Sequence, residues 1–577
     1  MKNDMSGSMA KSNSELIQAF KNLLGKEHVA VGKRRTEHFV TGWRSGKGTA
    51  LAVVFPQNLV SFWQVLKLCV ESDCIMVMQA ANTGLTEGST PSGSDYDREV
   101  VVINTLAMDK LLLIGEGEQV VSFPGTTLHT LEKKLKPLDR TPHSVIGSSC
   151  LGASIVGGIA NNSGGTLVKR GPAYTELSLY AWVNAQGELK LVNHLGIELG
   201  DTPEAILTNL EKGQFKPSDI HYDCGKASAT DYVAKLRDVE ADTPSRFNAD
   251  PSRLYEASGC AGKIAVFAVR LDTFPKPKIE QTFYIGTNDP STLSTLRREI
   301  LTTFKAMPEV GEYMHRDIFD IAEQYGKDTF LSVKYLGTDQ LPKMFAMKAK
   351  IDAVLNRVPF LPIFISERVM QGVAKLFPKH LPYRMLQFRY QFEHHLILKM
   401  SDDGIDEAKA YLSNFFTDNS AAGGYFECDA EEAEKAFLHR FAAAGGAMRY
   451  QTLNQSKVGD ILALDIALRR NDSDWVESLP ESISCDIDKR LYYGHFFCHV
   501  FHQDYILKKG ADAKAVKTKM LRLLDSRGAK YPAEHNVGHL YEAESALQSF
   551  YRKLDPTNSF NPGIGKMEKH KRNCSCC

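Results

Sequence analysis

The stretch Gln-Ala-Ala-Asn-Thr-Gly-Leu-Thr-Glu-Gly-Ser, from Gln79 to Ser89, limits what this chain can fold into more than any other. It follows the apolar run Cys74 to Met78, which reads as a short buried strand. A strand that opens into Ala80, Ala81, Asn82, Thr83 and Gly84, then Gly88 and Ser89, leaves nearly bare backbone. Such backbone approaches a phosphate closely and aims several N–H groups at it. No lysine lies between Gln79 and Pro91, so a nucleoside-triphosphate loop is excluded. The loop reads as a cradle for the diphosphate of a cofactor whose chemistry happens elsewhere.

A second small-residue run extends from Gly147 to Gly165 and holds six glycines among nineteen residues. That density argues against a regular helix, because each interior Gly costs about 1 kcal/mol relative to Ala. Ile155, Val156 and Ile159 do not suit a solvated linker. Gly147, Ser154 and Gly164 are therefore candidate cofactor contacts, and Val266, on the apolar strand 262–272, is taken as another.

At 577 residues the chain is too long for one core. Lys+Arg equals Asp+Glu at 69 each, so overall charge favours neither nucleic acid nor an acidic partner. No run of about eighteen apolar residues suggests a membrane span, and Met1 to Ser14 lacks the apolar core of a signal peptide. Eleven Cys without paired spacing suit a reducing compartment, and Cys574, Cys576 and Cys577 read as a frayed, reduced tail. Helical spacing marks 14–26 and 59–72, and a further helix starts at Pro124 to Thr127 and runs through Leu135. Strands are expected at 50–55, 74–78, 100–104, 110–114, 119–123 and 262–272, with a hairpin over 180–191. Residues 200–250 are polar and read as a surface excursion. The class is α+β.

Between Leu341 and Met400 ten basic residues face three acids, an excess of seven, with eight aromatics interleaved. The basic residues include Lys343, Lys348, Lys350, Arg357, Arg368, Lys375 and Lys379. Each cation near an anionic bilayer is worth about 1 kcal/mol, and buried rings add anchoring, so the segment fits a membrane surface. No nucleic-acid motif accompanies it.

The paired glycine runs, about sixty residues apart, resemble the FAD-binding domain of vanillyl-alcohol-oxidase-type flavoproteins. Gln79 to Ser89, Pro142 to Gly171, Asn193 to Gly196 and Tyr531 to His539 further resemble the membrane-associated, quinone-dependent D-lactate dehydrogenases of bacteria. The resemblance implies an FAD-binding domain over 1–272 plus about 521–577 and an α+β cap over about 273–314, 392–429 and 454–520. It places a basic, partly helical membrane-contact region at about 315–391 and 430–453. It implies FAD, and non-covalent FAD, since the Gln79–Ser89 loop lacks the His that carries flavin in covalent relatives. The expected partners are D-lactate, a membrane quinone and an anionic phospholipid surface, on the cytoplasmic face of the bacterial inner membrane.

By the same resemblance, Glu534 is a metal ligand and His535 the base that takes the hydroxyl proton as C2 hydride moves to flavin N5. His495 and His502, six residues intervening, would complete a site for a divalent metal such as Zn. Soluble relatives have Gly-Asp-Gly-Asn between the two His, whereas Phe496 to Phe501 stand here; these bulkier residues are expected to narrow the site. Asn536 replaces the usual Gly after the Glu-His pair. Without a metal, His495 and His502 would hold the substrate carboxylate directly or be core histidines. Arg389 or Arg384 is the expected carboxylate cation, with Arg316 as a rival, because Arg grips a carboxylate with two parallel bonds. Asn561 to Lys566 resembles the Asn-Pro-Gly-Lys ending of the superfamily with two residues inserted. The alternatives are another D-2-hydroxy acid as substrate, or a flavin-bearing membrane module without turnover.

Overall fold

Every residue of strand Val100–Asn104 is buried, as expected of a central parallel strand. In this computed structural model it lies inside the first of three main sheets. The structure describes residues 12–144, 152–337, 364–418 and 422–572, with Met344, Met347, Lys348, Ile351 and Leu355 between. Gly147, Lys343, Lys350, Arg357 and the terminal cysteines lie outside the described residues.

The first sheet runs β1 (Val29–Val31), β2 (Ala52–Val54), β4 (Val100–Asn104), β3 (Ile75–Gln79), with β2, β4 and β3 parallel. Helix α1 (Asn13–Leu24) packs on α2 (Leu59–Glu71), whose N-cap Asn58 accepts from Ser61 N and which buries Leu59, Phe62, Trp63 and Leu66. The second sheet is antiparallel, in the order β5 (Leu111–Ile114), β6 (Gln119–Ser122), β9 (Ala265–Asp272), β7 (Ser178–Val183), β8 (Leu189–Asn193). Helix α3 (Leu128–Leu135) starts on its N-cap Thr127.

Two expectations need correction. The glycine run does contain a helix, α4 (Ile155–Ala160), because Ser154 caps it and Ile155, Val156 and Ile159 bury its apolar side. Packing outweighs the propensity cost over so few residues. The stretch 200–250 is not only surface: Leu207 and Leu210 are buried in the helix Pro203–Lys212, and Arg246 and Asn248 are buried too. Their polar groups are admissible inside because Arg246 donates to Gly165 O and Asn248 to Asn161 O.

The third sheet has seven antiparallel strands: β10 (Glu280–Thr287), β11 (Val310–His315), β12 (His394–Ser401), β13 (Gly423–Glu427), β14 (Val458–Ala467), β15 (Ile487–His495) and β16 (Val500–Lys508), ordered β13-β10-β12-β11-β15-β16-β14. One face packs into the largest core cluster, with Tyr313, Trp475, Phe496 and Phe501. Over the other face lie helices α5 (Arg316–Tyr325), α6 (Lys327–Leu336), α7 (Ile365–Leu376), α8 (Tyr383–Gln391) and the long α9 (Ala430–Leu453). Among the described residues no helix is long and apolar enough to cross a membrane.

The last segment returns to the first sheet. Phe560 bridges Met76, and Asn561 Nδ2 donates to Gly88 O (2.8 Å) and Ala261 O (3.1 Å). Behind them the fully buried Lys263 ammonium donates to Asn558 Oδ1 and Phe560 O, 3.5 Å from Asp555. Burial pulls that ammonium down to about 8 although Asp555 opposes it.

Candidate active site

The sheet register builds the site. Neighbouring residues on a strand point to opposite faces, and residues opposite one another across an antiparallel pair share a face. Glu312 pairs with His495, Tyr493 with His502, and His502 with Asp465. These five side chains, with Asp504 two residues on from His502, therefore stand on one face of the third sheet. The six-residue gap between His495 and His502 is a tight hairpin that sets the two rings side by side, centroids 5.4 Å apart. The expectation that Phe496 to Phe501 narrow the site is wrong: Phe496 and Phe497 turn to the core side, and none of this loop lines the cavity.

That face forms one wall of a cavity of about 1310 Å³, larger than the roughly 300–1,000 Å³ of a drug-sized ligand's site. Facing it are the two glycine runs. Ala80, Ala81, Asn82, Thr83, Gly84, Gly88, Ser89, Ser154, Gly164 and Val266 all line the cavity. Gln79 Nε2 pins the loop to Phe39 O and Ser89 O, and Asn82 Nδ2 pins it to Thr41 O. Among the described residues none accepts from the N–H groups of Ala81, Asn82, Thr83 or Gly84. A Cβ on Gly84 would meet nothing within 4 Å. Free N–H donors on bare backbone at an open wall fit the diphosphate of a dinucleotide.

His535 and Glu534 join the same cavity from the returning segment. Glu534 N donates to Asp465 Oδ2 (2.8 Å), whose carboxylate also stands 3.9 Å from His535 Nε2 and 3.4 Å from His502 Nδ1. Asp465 thus ties the two histidines to the Glu-His turn. Arg246 Nη2 donates to Glu534 Oε1 (2.7 Å), an approach that needs glycine at 164, where a Cβ would sit 2.5 Å from that oxygen. Asn536 accepts from Gly538 N and donates to Asn161 Oδ1, so the residue replacing the usual Gly fastens this turn to the second glycine run.

The charges are mutually compensating. Burial alone would keep His495 neutral, but Glu312 (2.6 Å from Nδ1) and Glu534 (3.4 Å from Nε2) push its imidazole up to about 10. Burial would raise Glu534, yet His495 and Arg246 hold it well below the carboxylate range; burial would raise Glu312 too, and His495 and Arg440 lower it. Arg440 of α9 pairs with Glu312 (2.8 Å) and lies over the Tyr493 ring (4.6 Å). Burial raises Asp504, which accepts from Tyr493 OH.

Donor atoms of His495, His502 and Glu534 lie within 4.8 Å of one another. Two imidazoles and a carboxylate, with Glu312 as outer partner of His495, form a donor set suited to a divalent transition metal. To ligate an ion there, His495 would have to give up its proton.

The expected carboxylate cations are elsewhere. Arg384 pairs with Glu432 and donates to Glu427 O, Arg389 pairs with Asp320, and Arg316 pairs with Glu393; none lines the cavity. Proximity in sequence to His394 and His395 misled, because β12 turns those rings toward Tyr313 and Phe319. Arg440, Arg246, Asp465 and Glu312 were missed. Isolated acids inside the apolar alternation of Val458–Ala467 and Val310–His315 were the available signal for the last two.

A glycine-lined dinucleotide cradle facing a His and carboxylate cluster across one cavity defines an FAD-binding oxidoreductase. The fold agrees: p-cresol methylhydroxylase with substrate bound aligns with TM-score 0.57 at 12% identity, covering 96% of this chain and 97% of that one. The FAD-binding-domain profile matches residues 50–192, and the profile described as "D-lactate dehydrogenase, membrane binding" matches 282–573. The quinone-dependent D-lactate dehydrogenase of Escherichia coli is 58% identical over 567 residues, 98% of this chain and 99% of that protein. The Haemophilus influenzae enzyme of that name is 56% identical over 560 residues, covering 97% and 99%. The chain belongs to the family of quinone-dependent D-lactate dehydrogenases.

Proposed function

We propose that this chain oxidises D-lactate to pyruvate at the cavity between the glycine runs and the third sheet, and delivers the electrons to a membrane quinone. The observation that carries the reading is the convergence of His535, Glu534, His495 and His502 on the wall facing the cofactor loops. His535 takes the hydroxyl proton, and Asp465 stabilises the imidazolium that results. Arg440, one of the cations lining the cavity and paired with Glu312 at the edge of this cluster, holds the carboxylate in place of Arg384 or Arg389. FAD, which Ala80 to Gly84, Gly88, Ser89, Ser154, Gly164 and Val266 would hold, supplies a two-electron acceptor for the C2 hydrogen when bound. His495, His502 and Glu534 would hold a divalent ion that polarises the substrate oxygens. With no metal, the His495 imidazolium provides positive charge at the same place.

Residues about 315–391 and 430–453 form the membrane-contact part, on the cytoplasmic face. On α7, Val369, Val373 and Leu376 are exposed at helical spacing, with Phe377 just beyond. Arg368, Lys375 and Lys379 beside them have no carboxylate within 4.0 Å among the described residues. Lys348, Arg384 and Arg389 are paired internally, so the membrane charge is smaller than the sequence count implies. Anaerobic D-lactate should bleach the yellow holoenzyme, and Val373→Asp with Leu376→Asp should release it from anionic vesicles while flavin content holds. Unbleached flavin under D-lactate would sink the substrate assignment.

A further inference from the structure

The cavity does not end at the histidines. It continues along one face of α9, lined by Glu434 at its start and then by Phe437, Leu438, Phe441, Ala444, Gly445 and Met448, with Val333 of α6. Their spacing is one helical stripe. The opposite side of α9 is buried by small residues, Ala442, Ala443, Gly446 and Ala447; a Cβ on Gly446 would lie 3.1 Å from Ile321 O and 3.3 Å from Ala322 Cα. One face of the helix is thus closed against α5, while the other is left as an open apolar wall. Phe441 and Met448 are 36% and 46% exposed, so this end reaches the surface. It does so beside α6 and α7, which pack on α9 and carry the exposed Tyr335, Leu336, Val369 and Val373. From Arg440 to Met448 the wall is about 12 Å long at 1.5 Å rise per residue.

D-lactate gains nothing from such a wall, since drawing a carboxylate along apolar surface costs free energy. A planar, apolar electron acceptor with an isoprenoid tail gains burial along all of it. We propose that this corridor is the docking site of the quinone head group, which enters from the bilayer along α9 and stops at Arg440 and Tyr493. The proposal rests on the reading that the acceptor is a quinone. Its chemistry balances: D-lactate loses two electrons and two protons, from O–H and C2–H, and the quinone gains two electrons and two protons as its carbonyls become hydroxyls.

Gly445 and Ala444 allow a test without disturbing the histidine end. A Cβ on Gly445 meets only Thr329 Oγ1 at 3.9 Å, so Gly445→Leu starts from an unobstructed position on the corridor wall and raises helix propensity. Ala444→Phe fills it independently. Three measurements on FAD-loaded protein separate the steps: anaerobic bleaching by D-lactate, turnover with ferricyanide, and turnover with a decyl-tailed benzoquinone. Both variants should lose roughly tenfold or more in kcat/KM for the benzoquinone while bleaching and ferricyanide turnover stay within about twofold. Unchanged benzoquinone kinetics in both variants, or equal loss in all three measurements, overturns the corridor. A parent protein that bleaches with D-lactate yet never reduces the benzoquinone overturns the quinone reading itself, and the corridor with it.

Discussion

At the histidine end of the cavity, Arg246, Glu312, His495 and Glu534 are all buried, and each charge lies against an opposite one. At the α9 end the wall beyond Glu434 is Phe, Leu, Ala, Gly and Met, with Phe441, Ala444, Gly445 and Met448 exposed. The first end holds its geometry through short polar contacts that leave little freedom. The second has an apolar wall and no such fixed partners. The difference teaches that one cavity can be tightly charge-paired at one end and apolar and open at the other.

The largest effect should come from removing the base. His535→Gln is expected to slow anaerobic bleaching by about 10²–10⁴-fold, equivalent to roughly 3–5 kcal/mol in the barrier, with FAD content unchanged. Bleaching at the parent rate would move the proton-accepting role to another residue. Next, Arg246→Met leaves buried Glu534 with only the His495 imidazolium opposite it and should cost up to about 3–5 kcal/mol of stability, read as a lower urea midpoint. A variant as stable as the parent would mean that this end is not held together by charge pairing.

A third prediction contrasts acid sensitivity. His395 and His439 are fully buried, and burial pulls each down to about 3 although backbone groups of Phe392 and Phe319 oppose the shift. Below the unfolded value near 6.5 the unfolded chain binds protons that the folded chain refuses, so stability falls as pH drops from 6.5 toward 3. The slope is up to about 1.4 kcal/mol per pH unit for each group. His439→Phe should flatten the fall in melting temperature between pH 6.5 and 4.5, and an unchanged slope would assign acid sensitivity elsewhere. The smallest effect belongs to Arg389→Ala and Arg384→Ala, whose partly exposed pairs are worth about 1 kcal/mol or less. Neither should alter the KM for D-lactate, and a large rise in KM would restore the clamp role expected from sequence.

The contrast also explains what could be read in advance. Ala80 to Ser89 was legible because bare backbone after a strand is a local property, as was the Glu534-His535 pair, because two chemically capable side chains stand together. Asp465 and Glu312 were not, since an acid in an apolar strand gains meaning only from its neighbours across the sheet. Arg384 and Arg389 looked free because their partners, Glu432 and Asp320, lie 48 and 69 residues away in sequence.

Sequence by itself determined that the chain cradles a dinucleotide and carries imidazole and carboxylate groups for chemistry on it, because glycine backbone and ligand types act through their own local chemistry. Only tertiary structure decided which arginines line the cavity, which basic residues are already paired within the protein, and that a mostly apolar stripe on α9 continues the same cavity. Those outcomes depend on strand register and helix packing, which join residues far apart in the chain and settle which charges are already compensated.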